Sequence, residues 1–248
     1  MEPLAIREPD QKKREARLAA RLRPTFHHTG LKWIKATHTP TGEIVAFAGW
    51  NAPGNPVHNP LRFDAIDVYP WRTTTTTTAA ETGDDGNDGS HGGLPLTDEA
   101  WRELWTGCNI EAWDAQLSRD DRIRAEVMGD EPHWFLTPLA TWPAYQGKGV
   151  GGRLLKWAID QADATDPVTP MYLESAVTAR AVYMHNGFVP QGGINLNMVR
   201  RGPRVLKEED FEIDDSWVWE KKKEEPKPEA EVLNVDVVAG ELEGELQH

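Results

Sequence analysis

The sequence predicts an α/β protein, because apolar segments of strand length are interspersed with helical segments along the chain. Three observations support this class. Residues 133–141 form an apolar strand that leads through a glycine-rich loop into an amphipathic helix. Residues 33–50 have the pattern of a hairpin, and residues 98–128 have a helical pattern. The chain therefore contains both kinds of element in its N-terminal and C-terminal halves.

In the N-terminal half we predict one helix, one hairpin and a longer helical segment. The helix covers residues 11–22 and carries several basic side chains. The strands of the hairpin are 33–37 and 44–50, joined through Pro40, Thr41 and Gly42. The helical segment covers 98–128, with a break near Gly107 because glycine weakens a helix interior.

In the C-terminal half the central strand at 133–141 precedes a helix with one apolar face. The spacing i, i+1, i+4, i+5, i+8 puts five side chains on that face: Leu154, Leu155, Ala158, Ile159 and Ala162. A strand at 171–176, a short helix at 179–185 that ends at Asn186-Gly187, and a strand starting at 188 follow. The closing strands are expected at 192–200 and 216–221.

Two polar segments define the expected domain organisation. A run of six threonines at 73–78 is followed by an Asp- and Gly-rich stretch, so residues 72–95 are predicted to be a low-complexity insert. Residues 221–248 are rich in charge and have no aromatic side chain, which is typical of a disordered acidic tail. We therefore expect one domain over 1–220 that contains the insert, followed by the tail.

Composition excludes several classes of function. The net charge of −13 argues against nucleic-acid binding, which needs cationic surfaces. A single cysteine excludes a disulfide framework or a cysteine-based metal site within the chain. No apolar run is long enough for a membrane span, and no signal-peptide core follows Met1. We expect an intracellular, cytoplasmic protein without a membrane partner, and a nuclear location stays open.

The loop at 146–152 has the composition of an anion-binding site. Its glycines let several backbone N–H groups point at one anion, and the start of the following helix adds positive dipole. A nucleotide P-loop is excluded because no Lys-Ser/Thr pair follows. The dinucleotide pattern G-x-G-x-x-G is present at Gly147, Gly149 and Gly152, but without the repeated βαβ units that it needs.

A third interpretation of the loop depends on a second motif. Gln146-x-x-Gly149-x-Gly151 resembles the Gln/Arg-x-x-Gly-x-Gly/Ala loop of GNAT acetyltransferases. After one helix the chain continues with Leu173-Glu174, and then with Tyr183 and Gly187-Phe188, which resembles a second pattern of that family. Two motifs in the expected order are more specific than either alone. The chain is most similar to uncharacterised fungal GNAT proteins, over residues 31–198 without the insert.

The resemblance implies a fold and a reaction. The GNAT fold has a central mixed sheet flanked by helices, and here its first strand and first helix are expected to be missing. In that family the loop holds the pyrophosphate of acetyl-CoA. The implied activity is transfer of an acetyl group to an amine by direct attack in a ternary complex, without a metal. The acceptor is a small molecule or a protein amine, and a homodimer stays open.

The resemblance also assigns residues to this reaction. Tyr183 matches the tyrosine that protonates the departing CoA thiolate. Glu174 and His133 are candidates for the general base. The end of the central strand is expected to pair with the pantetheine arm through its backbone N–H groups. Together with the loop it forms the expected cofactor site: Leu139, Ala140, Thr141, Gln146, Gly147, Lys148, Gly149, Val150, Gly151 and Gly152.

Two other functions compete with the acetyltransferase. A non-catalytic acyl-CoA-binding module would keep the loop but lack the wall of the acceptor site that the missing N-terminal elements form in the family. An NAD-linked oxidoreductase would use the match at Gly147, Gly149 and Gly152. Substitution of Tyr183 separates the first two hypotheses, and binding of NADH without competition by CoA would favour the third.

Overall fold

A computed structural model describes residues 6–54, 59, 61–64, 97–191, 196–203 and 233–238. The helices are α1 Gln11–Leu22, α2 Asp98–Leu104, α3 Ile110–Met128, α4 Val150–Asp163 and α5 Arg180–His185. The strands are β1 Leu31–His38, β2 Ile44–Asn51, β3 Trp134–Thr141, β4 Met171–Glu174, β5 Val189–Pro190, β6 Asn197–Arg200 and β7 Leu233–Val238. In these ranges no helix has the length and apolar character needed to cross a membrane.

The seven strands in the described part of the chain form one mixed sheet in the order β5-β6-β4-β3-β2-β1-β7. β3 and β4 are parallel, and every other neighbouring pair is antiparallel. A parallel pair requires a crossover, and α4 with its preceding loop supplies it. The predicted mixed α/β sheet flanked by helices is therefore confirmed.

The main core lies between one face of the sheet and helix α4. Leu154, Leu155, Ala158 and Ala162 are fully buried against β1–β4, and Ile159 packs at the margin. These five side chains are the apolar face predicted from the spacing. On the other face Met128, at the end of α3, packs with Phe135 and other sheet residues.

The contacts divide the chain into two compact units, where the sequence predicts one domain over 1–220. One unit comprises Met1–His28 and His58–Asp121, and the other comprises Thr29–Val57 and Arg122–His248. The first has an aromatic core in which Phe63, Trp101 and Trp105 are buried and in ring contact. The second contains the whole sheet.

Strand β7 lies in the segment that the sequence analysis assigns to the acidic tail. It pairs antiparallel with β1 over six residues, from Trp33 opposite Val238 to His38 opposite Leu233. The order Leu-Asn-Val-Asp-Val-Val has alternating apolar residues, and the edge of β1 has backbone groups that require partners. The insert, the strand expected at 216–221 and the rest of the tail are outside the described residues.

Candidate active site

The sheet opens between its two parallel strands. β3 and β4 are paired over residues 134–136 and 171–173, and β4 ends at Glu174. β3 continues to Thr141, paired with β2 on its other side. Within the described residues no strand pairs with the β4-facing edge of β3 beyond Leu136. Backbone groups on this open edge are therefore available to a ligand.

The register of β2 and β3 determines which backbone groups face the open edge. The N–H of Trp142 donates to the carbonyl of Val45 at 2.9 Å, and Ala140 follows the same register. Residues of an antiparallel ladder exchange hydrogen bonds at every second position, so Ala140 is bonded to β2. The N–H groups of Leu139 and Thr141 face the open edge, which is the placement that the family resemblance implies.

The side chain of Gln146 connects the loop to the end of β3. Its Nε2 atom donates to the carbonyl oxygen of Thr141 at 3.0 Å. The intervening residues form a 3₁₀ turn at Pro143–Tyr145. Gln146 therefore positions the loop against the open edge and occupies one acceptor there, while the N–H of Thr141 stays directed toward the edge.

The backbone of the loop requires glycine at two positions. Gly147 and Gly149 have φ angles of +76° and +77°, a region that disfavours residues with a Cβ. Gly149 is the N-cap of α4, and no side chain caps this end. The first N–H groups of the helix, including those of Val150, Gly151 and Gly152, therefore point toward the loop. Together with the helix dipole they form an anion site.

Basic side chains line a groove beside this loop. The groove has a volume of about 680 Å³ and is lined by Gly149, Gly152, Arg153, Lys156, Ile159, His185, Asn186, Gly187, Arg200 and Pro203. Lys156 forms an ion pair with Asp160 at 2.6 Å. Lys148 lies in the loop itself, with its Nζ 5.3 Å from the centroid of the Tyr145 ring. Arg200, another basic residue of the groove, is paired with Asp163 at 2.7 Å.

Tyr183 lies on α5 in the core formed by α4 and the sheet. Only 6% of it is exposed, and its ring meets Phe188 edge-on at 6.1 Å. Burial raises the pKa of Tyr183 to about 12. No hydrogen bond to another described residue engages its hydroxyl group. The phenol is therefore a protonated group that can donate to a ligand.

Glu174 lies at the end of β4 on the opposite face of the sheet from Tyr183. Leu173 belongs to the core under α4 and Tyr172 to the core on the other face, so alternation puts Glu174 on the second face. Its Oε1 atom is 3.7 Å from Nη1 of Arg124, which is buried. Of the two predicted catalytic side chains, Glu174 therefore lies where β4 ends, on the opposite face of the sheet from the core that contains Tyr183.

His133, the other candidate base, is at the wrong end of β3. It immediately precedes the strand, six residues from Leu139, which corresponds to about 20 Å along the strand. Its Nδ1 contacts the carbonyl oxygen of Glu131 at 2.6 Å, and burial lowers its pKa below the usual value. A base must be within hydrogen-bond reach of the proton that it removes, so the structure assigns His133 a structural role.

Thr137 is a polar residue of this region that the sequence analysis missed. Its Oγ1 atom is buried and has no hydrogen-bond partner among the described residues. The available signal was a threonine inside an otherwise apolar strand, directly before Pro138. In the same described ranges no cluster of three or more His, Cys, Asp or Glu side chains could hold a metal ion.

Comparison with a family model identifies the type of domain. Residues 116–190 match the acetyltransferase (GNAT) domain, a range that contains β3, the loop, α4, β4, α5 and β5. The match covers less than half of the chain. It supports a GNAT acetyltransferase domain over these residues and favours the third interpretation of the loop.

Comparisons with individual proteins give distant similarities. A search of curated proteins finds no match. Among solved structures, the histone acetyltransferase HPA2 and related acetyltransferase from Corynebacterium glutamicum is 21% identical with a TM-score of 0.40, covering 81% of each chain. AtaTR bound with AcCoA is 13% identical with a TM-score of 0.34, covering 75% of this chain and 76% of that one. The narrower likeness to fungal proteins has no support in these comparisons.

Proposed function

We propose that this chain, whose residues 116–190 match the GNAT acetyltransferase domain, transfers an acetyl group from acetyl-CoA to an amine. One observation carries the proposal. The open edge of β3 leads directly into a glycine loop and the uncapped start of α4. An extended ligand arm can therefore pair with the strand while its phosphate groups bind the loop.

The backbone would hold the ligand along this path. The N–H groups of Leu139 and Thr141 face the open edge and can donate to amide and thioester carbonyl groups of an arm that lies there. The N–H groups that follow Gly149 receive the pyrophosphate. Arg153 and Lys156, on the next turns of α4, line the adjoining groove and add positive charge near further phosphate groups.

Two side chains would manage the protons of the reaction. Acetyl-CoA supplies the acetyl group as a thioester. Tyr183 keeps its proton because burial raises its pKa, and it can donate that proton to a sulfur atom that leaves as a thiolate. Glu174, held near Arg124 on the other face, can accept the proton of the amine. With this assignment the reaction is a direct attack in a ternary complex, with Tyr183 as proton donor and Glu174 as proton acceptor.

For the acceptor we predict a chemical class and not a particular compound. The carboxylate of Glu174 and the net charge of −13 favour an amine that approaches as a cation. A small-molecule amine and a protein amine both satisfy this requirement. We retain the cytoplasmic location and the absence of a nucleic-acid partner as predictions from composition.

Calorimetric titration with acetyl-CoA tests the proposal. We expect a dissociation constant on the order of micromolar, about −8 kcal/mol, and no heat with NADH as control. CoA release in the presence of primary amines then distinguishes an enzyme from the non-catalytic acyl-CoA-binding module, which would bind without release. Binding of NADH and not of acetyl-CoA would overturn the proposal in favour of the dinucleotide interpretation.

A further inference from the structure

A threonine hydroxyl in the middle of β3 has no partner. The Oγ1 atom of Thr137 is buried, and nothing in the described part of the chain forms a hydrogen bond with it. Burying a hydroxyl without a hydrogen bond opposes folding, so most proteins satisfy such groups. Valine has nearly the same shape without this penalty. A threonine at this position therefore requires an explanation other than packing.

Thr137 lies where β3 and β4 part. Leu136 is the last residue of β3 that is opposite β4, and Pro138 has no N–H to donate. Two positions after Thr137, the N–H of Leu139 faces the open edge. The hydroxyl is therefore at the closed end of the opening, close in sequence to the two backbone donors that we assign to carbonyl groups of the ligand arm.

Glu174 has the equivalent position on β4. Leu136 is paired with Leu173, so Thr137 and Glu174 are the next residues on the two strands, at the point where the strands cease to pair. Leu136 and Leu173 belong to the core under α4, so the residue after each of them starts on the opposite face, just before the register of β3 shifts between Leu136 and Leu139. Arg124 approaches Glu174 to 3.7 Å on that face. A hydroxyl and a carboxylate thus start on the same face where the two strands part, at the opening that we assign to the ligand arm.

We propose that Thr137 is a catalytic residue whose hydroxyl accepts a hydrogen bond from the attacking nitrogen of the acceptor amine. The inference rests on the proposed function and names a specific contact for it. The hydroxyl orients one N–H of the amine, so that the nitrogen lone pair points at the acetyl carbon. The missing partner of Oγ1 is therefore the substrate.

The proposed step balances in atoms and charge. A bond forms between the amine nitrogen and the acetyl carbon, and the bond from that carbon to sulfur breaks. The sulfur leaves with the electron pair and takes the proton of Tyr183. An amine that arrives as a cation first gives one proton to water, and Glu174 takes the second proton, which the nitrogen loses as the new bond forms. Both residues return to their starting states by exchange with water. Thr137 gives up no proton overall.

Two CoA derivatives test this contact without knowledge of the natural acceptor. In the amide derivative the CoA sulfur carries CH2–C(=O)–NH–CH3, whose N–H represents the attacking amine. In the ester derivative it carries CH2–C(=O)–O–CH3, which has no N–H. We expect the wild-type protein to bind the amide about tenfold more tightly than the ester, measured by calorimetry, because one hydrogen bond is added.

Three variants locate the contact. Thr137→Val should bind both derivatives equally, whereas Thr137→Ser should retain the preference for the amide. The melting temperature of Thr137→Val should equal or exceed that of the wild type, because an unsatisfied hydroxyl is removed. Cys108→Ser, in the other compact unit and outside the residues assigned to the site, is the control and should leave the preference unchanged.

The outcomes separate this inference from the proposed function. If the wild type binds neither derivative nor acetyl-CoA, the proposed function fails. If it binds them without an amide preference, or if Thr137→Val retains the full preference, the proposed role of Thr137 is wrong and the function stands. A Thr137→Val protein that melts well below the wild type would show a structural role for the hydroxyl and overturn the inference.

Discussion

Tyr183 combines burial with a polar group that no described neighbour engages. A tyrosine that only fills space at this position could be replaced by phenylalanine without loss of function. The pKa of about 12 means that the phenol stays protonated at every pH at which the protein is expected to work. It therefore holds a proton that it can donate and is unsuited to act as a base, although its raised pKa makes it a weaker acid than a free phenol.

Replacing Tyr183 by phenylalanine tests its role as general acid. We expect Tyr183→Phe to lower the turnover number about 100-fold, since general acid catalysis typically contributes that much. The affinity for acetyl-CoA should change less than about twofold, because the phenol is not assigned to binding. The wild type should lose no activity through ionisation of Tyr183 up to about pH 10, because a phenol with a pKa of about 12 is still protonated there. CoA release measured against pH checks the turnover number and its pH dependence, and calorimetric titration with acetyl-CoA checks the affinity.

Tyr172 is the matched control for this experiment. Its hydroxyl donates to Oδ1 of Asn197 at 2.9 Å inside the core. Tyr172→Phe should therefore reduce the free energy of unfolding by about 1 kcal/mol and leave the turnover number unchanged. Wild-type turnover in Tyr183→Phe would remove the general acid from the mechanism.

At the scale of elements, the junction between the loop and α4 combines a structural and a binding requirement. The chain must leave the 3₁₀ turn and enter the helix within a few residues, and positive φ angles at Gly147 and Gly149 make this path accessible. The same path leaves the start of the helix without a side-chain cap. The unsatisfied N–H groups are costly without a ligand and favourable with a bound anion.

Substitution of Gly149 tests the junction. Gly149→Ala introduces a Cβ at φ +77°, where an L residue is strained by about 1–2 kcal/mol. We expect the strain to displace the loop and to weaken acetyl-CoA binding by about tenfold or more. Calorimetric titration of the variant with acetyl-CoA measures the effect.

Gly42, in the hairpin between β1 and β2, provides the control. Its φ of +73° is similar, and at both positions a Cβ would meet no atom within 4 Å. Gly42→Ala should lower the melting temperature by a similar amount and leave the affinity for acetyl-CoA unchanged. Equal losses of affinity in both variants would mean that the effect is general destabilisation and not loop geometry.

At the scale of the whole molecule, β7 connects the C-terminal part of the chain to the edge of the sheet. An uncovered β1 edge would have unpaired N–H and C=O groups and would favour association with other chains. Pairing over six residues covers this edge. The segment at 233–238 is therefore part of the sheet, although charged residues surround it in the sequence.

Truncation tests this role. A chain that ends at residue 232 should melt at a lower temperature and associate with increasing concentration, because the β1 edge is exposed. A chain that ends at residue 238 should behave like the full-length protein. Circular dichroism melts and light scattering measure the two effects. Identical melts for all three proteins would show that β7 adds nothing to the stability of the sheet.

Local patterns predicted most of the elements and the ligand loop. The helix at Gln11–Leu22 and the buried face of α4 follow from periodicity, because each depends on residues within a few turns. The positive φ angles at Gly147 and Gly149 agree with the interpretation of the loop as a tight strand-to-helix connection. Such features are short-range, so the sequence is sufficient to predict them.

The sequence by itself therefore determined the mixed α/β class, the glycine loop before α4 and the resemblance that names the reaction. Only the tertiary structure decided that β3 and β4 part after Leu136, that Arg124 lies beside Glu174, and that β7 covers β1. It also showed that Oγ1 of Thr137 is buried without a hydrogen-bond partner among the described residues, and that His133 precedes the start of β3. The physical reason is that these features depend on contacts between residues far apart in the chain. Forming such contacts costs chain entropy, which is offset only when the whole core is packed.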